Sequence, residues 1–178
     1  QHSMQWVEKN RAIKGGGYRH DEKDQGGPYL GDNIAVAQAY LALYQATGKR
    51  EMLTRASNTA EYIDRTFRFT IKQAAGEKGA GYAVYYALAT AVIKPQPQID
   101  ENIALARFAI RVPHLTGDET YKAIAERTMR YLATEEIATG RLTEAGVLLV
   151  AYELATDPVH ITIVGAKKGK QSQTLYQQ

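Results

Sequence analysis

Asp32-Asn33-Ile34-Ala35-Val36-Ala37 and, 69 positions later, Glu101-Asn102-Ile103-Ala104-Leu105-Ala106 are two copies of one helix start. The match runs on without a gap: Thr47-Gly48 falls on Thr116-Gly117, Ala56 on Ala125, Thr59 on Thr128 and Tyr62 on Tyr131. Conservative pairs fill the intervals, among them Val36 with Leu105, Leu41 with Ile110, Leu43 with Val112 and Ile63 with Leu132. An internal repeat names a unit that the architecture stacks, so it outranks local propensity as a fold signal.

Each copy reads as two helices. Asp32 opens the first, which runs to about Thr47 and stops at Gly48, a residue suited to the left-handed turn after a helix. Its apolar residues from Ile34 to Tyr44 cover nearly the whole circumference, the pattern of a helix buried on all sides. The next helix, from about Arg50 to Phe67, carries a single stripe of Leu53, Ala56, Ala60, Ile63 and Phe67, and so buries one face. The second copy repeats the contrast. A mostly apolar helix runs from Asn102 to Leu115, with Pro113 expected to kink or tighten its end. A striped helix then runs from Asp118 to Leu132 through Tyr121, Ala125, Thr128 and Leu132.

Around these pairs, Met4 to Arg11 reads as the end of a helix, and Lys14 to Gly31 as a long glycine-rich, charged loop. A loop of that length in a compact domain is usually functional or disordered. Gly76 to Gly81 reads as a flexible loop, and Tyr82 to Ile93 fits strand or helix equally. A further apolar helix is expected from about Thr143 to Ala155. His160-Ile161-Thr162-Ile163-Val164, bounded by Pro158 and Gly165, is the best strand pattern in the chain. The fold expected is all-α, an array of helical hairpins forming a partial α/α toroid, with one short strand near the C-terminus.

At 178 residues the chain has the length of one domain with a sizeable core. The net charge of +3 is local, since Lys167, Lys168 and Lys170 supply all of it. Nucleic-acid binders spread Lys and Arg over a face or a helix, and no such stripe is visible, so the basic segment reads as solvated. No run approaches the roughly 18 to 20 apolar residues of a membrane-spanning helix. With no cysteine, disulfides, thiolate metal sites and thiol chemistry are excluded, and the compartment stays open. Gln1-His2-Ser3-Met4 reads as a remnant of tag cleavage, and Gln173 to Gln178 as the start of a further helix. Residues 5–178 are therefore expected to be one helical domain of a longer protein.

Several segments, taken in order, resemble the helical domain of thioredoxin-domain-containing proteins. They are Gly17-Tyr18-Arg19-His20-Asp21, Leu30-Gly31-Asp32-Asn33 leading into Leu41-Ala42-Leu43-Tyr44-Gln45-Ala46-Thr47-Gly48, Asp100-Glu101-Asn102 leading into Leu115-Thr116-Gly117-Asp118, and Pro158 to Gly165. The resemblance implies an α/α toroid like that of N-acylglucosamine 2-epimerases and six-hairpin glycosidases, with a thioredoxin-like domain as intramolecular partner. It supplies no assigned chemistry and no cofactor.

The candidate site is the mouth where the long loop meets the repeated helix starts. Asp32 and Glu101 are candidate catalytic carboxylates, placed equivalently enough to act as acid and base on a sugar. Capping is the simpler account of both, since an acid at a helix start satisfies free N–H groups and complements the dipole. Asn33 and Asn102 recur beside them, as structural companions or as a pair that binds a polar ligand. Tyr18, Arg19, His20 and Asp21 bring an aromatic ring, a cation, an imidazole and an acid, a mixture suited to a polyol and equally to a solvated loop. One histidine near the carboxylates is too few for a metal site. Gly76 to Gly81 lacks the ending of a phosphate-binding loop, and the segment after Gly165 reads as an ordinary loop.

The expected function is therefore non-redox binding of a carbohydrate-like or peptide ligand. A glycan-processing hydrolase or epimerase, or a domain that positions its thioredoxin partner, are the alternatives. Exposed apolar helix surface on an open ring predicts a homodimer or an interdomain contact.

Overall fold

The computed structural model describes residues 2–23, 27–72, 78–83, 95–140, 145–159, 161, 163, 165–166 and 168–177. Among these residues the chain is mostly helical. Helix α1 (His2–Arg11) leads into a small antiparallel hairpin of β1 (Ala12–Ile13) and β2 (Gly17–Tyr18). Helices α2 (Leu30–Thr47) and α3 (Arg50–Phe67) form the first helical hairpin. A second antiparallel hairpin follows, β3 (Arg68–Lys72) with β4 (Lys78–Tyr82), and then α4 (Ile99–Thr116) and α5 (Lys122–Leu132), joined by a short 3₁₀ turn at Glu119–Tyr121. Helices α6 (Glu135–Gly140), α7 (Ala145–Ala155) and α8 (Lys170–Gln177) complete the described elements.

The repeat seen in sequence is a repeat in structure. Gly48 and Gly117 both end their helices in the left-handed region, at φ of 68° and 75°, and donate to Tyr44 O and Pro113 O at 2.7 Å in each case. The preceding threonines repeat as well: Thr47 donates to Leu43 O, and Thr116 to Val112 O. α4 continues past Pro113 to Thr116. The expected stripes are the buried ones. In α3 these are Leu53, Ala56, Ala60, Ile63 and Phe67, and in the second pair Tyr121, Ala125, Thr128 and Leu132.

The unit contains more than two helices, because each helical hairpin is preceded by a β-hairpin braced in the same way. Asn33 accepts from Tyr18 N at 2.8 Å and donates to Tyr18 O and Tyr29 O. Asn102 accepts from Tyr82 N at 2.9 Å and donates to Tyr82 O and Gln98 O. The glycine before each tyrosine lies flat on a tyrosine of the outer helix. A Cβ on Gly17 would stand 2.2 Å from the Tyr62 ring, and one on Gly81 2.9 Å from that of Tyr131. Each tyrosine hydroxyl then reaches an acid on the helix before its hairpin, Tyr18 to Glu8 at 2.7 Å and Tyr82 to Asp64 at 2.5 Å. Arg19 N bonds Arg11 O as Ala83 N bonds Phe67 O. Thus α1 stands to the first unit as α3 stands to the second.

Four expectations are corrected. The region 14–31 is not all loop, since β2 lies within it, and Lys78 to Gly81 is strand where a flexible loop was expected. The burial on all sides expected of the first apolar helix is not found. α2 leaves Ala35 and Ala42 exposed, and α7 buries only Val150 while Leu148 and Tyr152 are 75% and 65% exposed. The strand expected at 160–164 is not formed at Ile161 or Ile163, which are exposed, and its other three residues lie outside the described set. The assignment for 82–93 is answered only at Tyr82 and Ala83, since 84–93 lie outside it too.

α2 packs on α4 and α4 on α7, with α3 and α5 lying against that row. The core is continuous from Tyr18 and Leu30 through Phe67 and Phe108 to Val150. No described helix is long and apolar enough to cross a membrane.

Candidate functional site

The helices begin earlier than the sequence indicates, at Leu30 and Ile99, so Asp32 and Glu101 each stand third in their helix. Among the described residues neither carboxylate bonds to its own helix, which corrects the hydrogen-bonding half of the capping account, while both stand in a first turn where an acid complements the dipole. Glu101 instead turns towards the first turn of α2, where the N–H of Gly31 works to lower its pKa. That N–H is one of the donors a helix start leaves unpaired, and an acid is its favoured partner. A Cβ on Gly31 would lie 2.8 Å from Glu101 Oε1, so a side chain there would push the carboxylate away. The two helix starts are thus joined by an acid of one on the backbone of the other.

Asp32 turns to the loop. Its Oδ2 lies 3.0 Å from His20 Nδ1, and a carboxylate at Nδ1 places a proton on that nitrogen. The His20 ring meets Tyr29 edge to face, with centroids 5.9 Å apart at 86°. Its carbonyl accepts from the Arg11 guanidinium at 3.0 Å. An exposed histidine is thereby held from three directions.

His20, Tyr29, Gly31, Asp32 and Glu101 line one open cleft of about 370 Å³. Glu101 is its unusual member. Oε2 is buried and has no hydrogen-bond partner among the described residues. Burial raises the Glu101 pKa above its ordinary value, the charges of Asp100 and Asp32 raise it further, and only the Gly31 N–H works against them. The cleft therefore sets a carboxyl group of raised pKa at Glu101 beside the Asp32 carboxylate that contacts His20.

Of the eight binding residues expected from sequence, His20, Asp32 and Glu101 line this cleft. Asn33 and Asn102 are fully buried, and the main-chain bonds described above occupy both amide hydrogens of each. Tyr18 is buried too, its hydroxyl donating to Glu8. Arg19 and Asp21 are exposed on the loop, and Asp21 accepts from Lys23 N. None of these five lines the cleft. Tyr29 and Gly31 were missed, although Pro28-Tyr29-Leu30-Gly31 leads directly into the repeat and could have signalled them.

A second cleft, of about 310 Å³, lies where α1 meets α2 and α3, lined in part by Glu8, Tyr40 and Arg55. Glu8 there is already engaged, pairing with Arg55 and accepting from both Tyr18 and Tyr40. Partial burial raises the Glu8 pKa, but those bonds outweigh it and hold it below the ordinary value. No group of three or more metal-ligating side chains occurs among the described residues. No family model and no curated protein matches the sequence.

Proposed function

We propose that this chain binds a hydroxyl-rich, carbohydrate-like ligand at the cleft between the first turns of α2 and α4. The supporting observation is the convergence there of a held imidazole, an aromatic ring and two carboxylates, one with a buried oxygen still lacking a donor. Hydroxyl groups supply such donors, and the Tyr29 ring gives an apolar wall for a sugar face. On this reading the hairpin array belongs to the partial toroid that the resemblance implies, with a thioredoxin-like domain as its intramolecular, redox-active partner. NMR titration with monosaccharides and short peptides tests the reading. Sugars should shift the resonances of His20, Tyr29, Gly31 and Glu101 selectively; shifts confined to other surfaces would refute it.

The elevated Glu101 pKa favours a second reading, turnover of a glycan with Glu101 as acid and Asp32 as its charged counterpart. The double variant Asp32→Asn/Glu101→Gln should then abolish turnover, and unchanged turnover would exclude that mechanism.

A further inference from the structure

We propose that the ligand of this cleft carries an ammonium group beside its hydroxyls, as an amino sugar or related amino polyol does, and is bound in preference to its neutral counterpart. This rests on the cleft being the binding site.

Among the described residues no lysine or arginine lines the cleft. Its one cationic candidate, His20, is already placed on Asp32. Glu101 is left facing two negative neighbours, Asp100 and Asp32, and its only described partner is one backbone N–H. A ligand hydroxyl would give Oε2 a donor but leave the excess negative charge unanswered. An ammonium group does both, with three donors and a full positive charge. The Tyr29 ring beside the carboxylates adds a face on which a cation is favoured. A carboxylate oxygen that is buried without a donor is costly in the empty protein, so an ammonium ligand removes a penalty as well as making a contact.

The test is calorimetric titration of the whole chain with D-glucosamine and with D-glucose, which differ only in the group at C2, at about pH 6, where the amine is protonated. Glucosamine should bind at least about tenfold more tightly, an advantage that salt should diminish because the cleft is open. Glu101→Gln keeps a side-chain oxygen towards Gly31 and should bring the ratio to about one, with a folded spectrum by circular dichroism. Equal affinity for the two sugars, or a preference that survives in Glu101→Gln, would overturn the proposal while glucose binding upholds the polyol reading. Absence of binding by either sugar would overturn both.

Discussion

Asn33 and Glu101 are both polar residues at a helix start, and the structure uses them in opposite ways. Asn33 is fully buried with its amide committed to the main chain of Tyr18 and Tyr29. Asn33→Ala would leave a buried N–H and two carbonyls short of partners, and should cost about 2–4 kcal/mol, measured by urea denaturation. Asn102→Ala should cost a similar amount, because its bonds are the same. Glu101 carries the opposite penalty. Its folded-state pKa is raised above the ordinary 4.5, so the folded chain binds the proton more tightly than the unfolded one. Stability from this group is therefore full below about 4.5 and declines as pH rises through the folded pKa. Glu101→Gln should raise the melting temperature at pH 7, with the gain shrinking towards zero near pH 4. A gain equal at both values would show that ionisation is not its source.

At the scale of elements, the β-hairpin ties each helical pair to the helix before it. Glu8 holds α1 through Tyr18, Tyr40 and Arg55, and its lowered pKa means that this contribution is present above its unfolded value and lost as pH falls through the folded one. Glu8→Gln should increase amide exchange across residues 2–11 at least about tenfold at neutral pH, while α5 exchanges as before. Uniform change across both helices would refute a local tie. The helical pairs, their stripes and their glycine ends were legible in the sequence because there the copies keep one spacing. The braces were not. Glu8 and Asp64 are 56 positions apart, Tyr18 and Tyr82 are 64 apart, and only the asparagines recover the spacing of 69. The second copy is longer in its hairpin and again before α4, so an ungapped comparison loses the unit just where it is tied. Gly79 and Gly81 read as loop residues, whereas Gly81 is the strand residue that allows Tyr131 to close over it. At the site, the acids stood out because they recur, but the contact of Asp32 with His20 spans a loop whose path no periodicity specifies.

For the whole molecule, the row α2–α4–α7 leaves apolar surface at both of its ends. Ala35 and Ala42 are exposed on α2, and Leu148, Leu149 and Tyr152 on α7, a helix whose composition resembles a core. An apolar surface of that kind favours association. Sedimentation velocity should show a concentration-dependent dimer that Leu148→Glu with Tyr152→Ser abolishes, and a wild-type monomer at high concentration would count against it.

The bonds from Tyr18 to Glu8 and from Tyr82 to Asp64 carry a consequence for descent. The fastening of each unit is borne by its predecessor, so the inheritable cassette is outer helix, β-hairpin and inner helix, out of phase with the helical pair that the eye picks out. A duplication of the α2–α3 pair would deliver the acid that the next tyrosine needs, since Asp64 lies on α3, whereas the corresponding position of the second pair is Ala133. Loss of one pair leaves the following hairpin facing an equivalent acid on the helix now adjoining it. Such an array can lengthen or shorten by whole cassettes without inventing a new joint.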